Sequence, residues 1–171
     1  MAVTIYQDGE QIQSGMEIEG AIIAVGGSMH VSDNGIASLT TVSSGGQMHV
    51  SNAGSANQTT MVSGHMRITN GGVASATTMS GGSMNISSGG LARATTISGG
   101  GMLVSEGGVA NDVTVSSGAG ITITMGGNVT DLTLNAGGKL GNQPTDHGAG
   151  EQNQHKYDSA FPLHGICSLL L

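Results

Sequence analysis

Residues 80–97 read SGGSMNISSGGLARATTI, and residues 98–115 read SGGGMLVSEGGVANDVTV. The second phrase restates the first. In both, a glycine-rich opening leads to a Met-x-Val/Ile triplet, a Gly-Gly pair, an alanine and a closing β-branched triplet. Extending the phrase in both directions places the apolar residue that closes the Met-x triplet at Ile12, Val31, Val50, Ile68, Ile86, Val104 and Ile123. The spacings are 19, 19, 18, 18, 18 and 19 residues. A period this short and regular belongs to a solenoid, in which one unit cannot bury its apolar face alone and must stack on its neighbours.

Within each unit the alternation decides which side chains face inward. In Met29-His30-Val31, Met48-His49-Val50, Met66-Arg67-Ile68, Met84-Asn85-Ile86 and Met102-Leu103-Val104 the outer positions stay apolar while the middle one varies. Period-2 alternation of this kind is a strand with one buried face. The closing triplets Thr-Thr-Val, Thr-Thr-Met, Thr-Thr-Ile, Val-Thr-Val and Leu-Thr-Leu repeat the pattern. Val113 and Leu132 replace the first Thr, so the first and third positions point inward. The middle threonines Thr41, Thr60, Thr78, Thr96, Thr114 and Thr133 then form an outward column. Thr77, Met79, Thr95 and Ile97 fall in the buried set. Glycine pairs between the triplets supply tight corners, since glycine adopts positive φ without steric cost. Strands this short, interrupted this often by glycine, leave no room for a helical period.

The expected fold is therefore all-β: a single-stranded parallel β-helix whose coils are about 18–19 residues long. Each strand pairs with its copy one coil along, at a spacing of about 4.8 Å. The repeats span 12–140. Residues 1–11 are expected to be a starting strand or cap, and 141–171 an irregular or disordered tail that breaks every rule of the repeat.

Composition narrows the function. The 171 residues include 31 glycines, no Trp, one Phe and one Cys, and the formal net charge is −7 with only four Lys and Arg. So acidic a chain is a poor match for a nucleic-acid backbone, which is bound by releasing counterions to a basic surface. It is equally poorly suited to anionic lipid. No apolar run reaches the roughly 18 residues of a membrane-spanning helix. The lone Cys167 defines neither a disulfide framework nor a cysteine zinc site.

The phrase S-G-G-x-M-x-V/I-S-x-G-G-x-A-x-x-T-T/x-V/I resembles the AIDA-type repeats in passenger domains of Gram-negative autotransporter adhesins, over about three quarters of the chain. The resemblance implies a β-helical passenger at the cell surface that adheres to receptors or glycans or self-associates. It also implies that repeat serines are open to glycosylation. The opening MAVTIYQDGEQIQ has neither a basic segment nor a long apolar one, and no series of amphipathic strands for a translocating barrel is present. The expected location is the cell surface, as the resemblance implies, with the cytoplasm as the alternative where those parts are missing.

Chemical constellations are sparse. Carbohydrate-active β-helices need clustered carboxylates, whereas the acids here are scattered, and Glu17 with Glu19 reads more simply as a solvated first coil that blunts edge pairing. His30 and His49 share an outward position on adjacent coils and should stack, but a stable metal site wants three or four ligands, and Arg67 takes the next rung. The histidines at 147, 155 and 164 lack ligand spacing. The methionine column fills a narrow core, as flexible thioethers do. One outward Thr per coil falls short of the paired arrays of ice-binding solenoids. No catalytic residue, cofactor or metal is expected. The expected binding surfaces are the threonine column and the column His30, His49, Arg67 and Asn85. The function expected is non-enzymatic adhesion or self-association, with an inert stalk or truncated remnant as the alternative and a carbohydrate-active enzyme as the next.

Overall fold

The computed structural model describes residues 4–5, 10–12 and 16–142. The described residues form a β-solenoid with three strand-bearing faces and no helix. The first face stacks β2 (Glu10–Ile12), β5 (Ser28–Val31), β8 (Gln47–Val50), β11 (His65–Ile68), β14 (Ser83–Ile86), β16 (Gly100–Val104), β18 (Ala119–Ile123) and β20 (Lys139–Asn142) into one parallel sheet. The second carries β3 (Glu17–Glu19), β6 (Ile36–Ser38), β9 (Ser55–Asn57) and β12 (Val73–Ser75). The third carries β1 (Thr4–Ile5), β4 (Ile22–Ile23), β7 (Thr41–Val42), β10 (Thr60–Met61) and β13 (Thr78–Met79). Toward the C-terminal end these two faces fuse into the continuous strands β15 (Leu91–Ile97), β17 (Val109–Val115) and β19 (Asn128–Leu134).

The inward columns follow the alternation. Met48, Met66, Met84, Met102 and Ile121 are register partners from coil to coil. Val31, Val50, Ile68, Ile86, Val104 and Ile123 form a second buried ladder two residues on, none more than 3% exposed. Both belong to a single core cluster running the length of the rod. Thr77, Met79, Thr95 and Ile97 are buried as expected.

The sequence reading gives two strands per coil, and the structure adds a third. After the partly buried Ile18 of β3, each second-face segment offers the core one small residue: Ala37, Ala56, Ala74, Ala92 and Ala110, then Val129. Between the second and third faces the chain turns on one residue with positive φ. It is Leu39 (54°), Gln58 (53°), Ala76 (54°), Ala94 (50°), Asp112 (55°) and Asp131 (53°), with a glycine only at Gly20. A left-handed conformation costs a non-glycine residue about 1–2 kcal/mol. Stacking supports it here, since the amides of Leu39, Gln58 and Ala76 donate to Asn57, Ser75 and Arg93 of the following coil at 2.9–3.0 Å.

Elsewhere the two members of a glycine pair have different duties. Gly71 has a φ of +74° and a Cβ there would meet only the Ala53 amide nitrogen at 3.8 Å, whereas a Cβ on Gly72 would collide with the Val50 carbonyl oxygen. The first permits the turn, and the second permits contact between coils. Among the described residues, strand pairing runs from Thr4 to Asn142. Most of the tail at 141–171 lies outside the described residues, including Cys167 and the histidines at 147, 155 and 164. No helix among the described residues is long and apolar enough to cross a membrane.

Candidate binding faces

Outward residues form columns because the coils stack in strict register. Thr41, Thr60, Thr78, Thr96, Thr114 and Thr133 are consecutive register partners on the third face. Thr60, Thr78, Thr96 and Thr133 are exposed, while Thr41 and Thr114 are half-buried. The result is one file of hydroxyl and methyl groups repeating at about 4.8 Å.

On the first face His30, His49, Arg67 and Asn85 are register partners, as the sequence predicts, and Leu103 and Thr122 continue the column. The rings of His30 and His49 stack with centroids 4.7 Å apart and planes 8° from parallel. Burial lowers the pKa of His49, and the adjacent His30 and Arg67 charges lower it further. Stacked imidazoles direct their nitrogen lone pairs within parallel planes, so the pair as it stands does not converge on one ion. Among the described residues no group of three or more His, Cys, Asp or Glu could hold a metal.

A neighbouring column on the same face escaped the sequence reading. It consists of the residue just before each Met-x triplet: Ser28, Gln47, His65, Ser83, Gly101 and Gly120, ending at Lys139. His65 Nδ1 and Ser83 Oγ are hydrogen-bonded at 2.6 Å across adjacent coils. Where Gly101 withdraws the side chain, a shallow open groove of about 450 Å³ forms, lined by Ser83, Asn85, Gly101, Met102, Leu103, Thr122 and Thr124. The signal lay in the sequence as two glycines in a column otherwise occupied by side chains. The variability of that position concealed it.

Charge is segregated among the faces. The strands from β5 to β20 on the first face contain no Asp or Glu, and they carry Arg67, Lys139 and the histidines His30, His49 and His65. The other described acids are Glu10 on β2, the first strand of this face, Glu17 and Glu19 on β3, Asp112 on β17, Asp131 on β19, and Asp33 and Glu106 on corners beyond the first-face strands.

No family model matches the chain, and no curated protein matches it. Among solved structures it is similar to a TibC-catalysed, hyper-glycosylated TibA fragment, at 22% identity and a TM-score of 0.43. The alignment covers 85% of this chain and 92% of that one.

Proposed function

We propose that the chain is a non-enzymatic contact module: an autotransporter-passenger-like β-solenoid segment that acts at the cell surface by adhesion or self-association. The observation that carries this reading is the unbroken register of the outward threonine column from Thr41 to Thr133. A repeated surface lets many weak contacts form together, and the later ones gain from the high effective concentration set by the first. The resemblance of the repeat to AIDA-type passengers supports the same reading, including its surface location.

Beads coated with the purified chain test it. Wild-type beads should cluster, or be retained on cell monolayers, more than albumin-coated beads. Thr60→Lys together with Thr96→Lys, two coils apart so that the new charges do not oppose each other directly, should reduce that retention while leaving the circular dichroism spectrum unchanged. Wild-type beads that behave like albumin-coated ones would leave the inert stalk as the better reading.

A further inference from the structure

We propose that the first face binds an acidic saccharide chain, laid along the solenoid axis between Arg67 and Lys139 and seated in the groove over Gly101. The proposal deepens the adhesive reading and rests on it. Its first support is charge. In a chain of formal net charge −7, the strands from β5 to β20 hold two of the three described cations, Arg67 and Lys139, and no carboxylate. Arg93 is the third, on β15. Carboxylate-bearing ligands are repelled by the flanks and attracted by this face, which steers their approach.

The second support is geometry. From β11 to β20 the sheet order is β11-β14-β16-β18-β20, so Arg67 and Lys139 stand four rungs apart, about 19 Å along the axis. The groove lies between them. Beyond its far end Lys139 stands beside Gly120, its Cβ 3.9 Å from where a side chain on Gly120 would begin. A short oligosaccharide spans such a distance, and two separated cations fix its polarity less than they fix its charge.

The third support is the groove's lining. Ser83, Asn85, Thr122 and Thr124 present hydroxyl and amide groups, and Leu103 presents an apolar surface. That combination matches a ring bearing hydroxyls on its edge and C–H groups on its face. It does not match single-stranded nucleic acid, whose bases need aromatic platforms. The described residues include no Phe, Tyr or Trp.

Titration of the whole chain with hexagalacturonate, followed by NMR and calorimetry, tests the proposal, with maltohexaose and polyphosphate as comparison ligands. The expected result is saturable binding of hexagalacturonate, with maltohexaose at least about tenfold weaker, a difference of roughly 1.4 kcal/mol. Arg67→Gln with Lys139→Gln should weaken hexagalacturonate binding by a similar factor. Gly101→Gln fills the groove without changing charge. Its Cβ would meet only the Gly120 carbonyl oxygen at 3.8 Å, and Gln47 already occupies the same column. It should weaken binding while preserving the thermal melt.

Absence of saturable binding would overturn the proposal, as would variants that bind like wild type. Polyphosphate binding as tightly as hexagalacturonate would reduce the face to a generic anion patch and overturn it too. If the Arg67 and Lys139 variants still support bead adhesion, the adhesive reading stands although this site has fallen.

Discussion

His30 and His49, nineteen positions apart in the sequence, lie face to face with ring centroids 4.7 Å apart. Their stacking results from coil register alone, because His30 and His49 are paired residues of β5 and β8. It couples a surface column to the protonation state of the solvent.

Acidification should destabilise the chain through His49. Its pKa is lowered in the fold by burial, then by His30 and Arg67, so the unfolded chain takes up the proton first. Stability from this group is complete above the unfolded value of about 6.5 and is lost as pH falls below it toward the lowered folded value. The side chains facing His49 from the packed strands are His30 on β5 and Arg67 on β11, neither of them an acid that would reverse the sign. Thermal melts from pH 7.5 to 5 should show a falling midpoint, and His49→Gln should flatten that slope. An unchanged slope in the variant would remove His49 as its source.

A different column predicts a gain in stability. Thr40, Thr59, Thr77 and Thr95 are at most 1% exposed, and their hydroxyls have no hydrogen-bond partner. Val113 is the register partner of Thr95 and fills the same inward place without a hydroxyl. A buried unsatisfied hydroxyl costs about 1–3 kcal/mol, so Thr95→Val should stabilise the chain by about 1 kcal/mol in denaturant titration. A loss of stability would mean that the hydroxyl bonds to an internal water in solution.

Gly71 and Gly72 should respond unequally to the same substitution. Ala53 occupies the place of Gly71 one coil earlier, at a φ of 60°, so Gly71→Ala should cost only about 1 kcal/mol. Gly72→Ala drives a Cβ into the Val50 carbonyl and forces two coils apart. Overpacking of this kind costs about 1–3 kcal/mol or more, and backbone on backbone belongs at the upper end. Equal midpoints for the two variants in urea would contradict the division of labour.

Opposite faces of one sheet, on the adjacent strands β13 and β15, set up the sharpest contrast. Thr78 is exposed and Ile97 is fully buried. Thr78→Val should change stability by no more than about 0.5 kcal/mol. Ile97→Asp should unfold the central coils, because an unpaired carboxylate in an apolar core is strongly disfavoured. Circular dichroism melts of the two variants distinguish them, and similar melts would refute the register.

The repeat determined a great deal without any coordinates. Its period sets the coil, its alternation assigns Met84 and Ile86 to the core and Asn85 to solvent, and the exchange of Thr95 for Val113 reveals an inward position that a lone threonine would hide. These features are local, written into consecutive side chains. The second face was not legible, because from Ala37 to Ala110 its inward residue is a lone alanine per coil, too weak an apolar signal to stand out. Nor was the corner at Leu39, Gln58 and Ala76, which occupy a left-handed conformation that their side chains disfavour. There the amides bond to the next coil, so stacking imposes what local preference opposes. The groove over Gly101 and the acid-free strands around it also emerge only when coils are superposed, since residues 18 or 19 apart in sequence become neighbours only across a sheet.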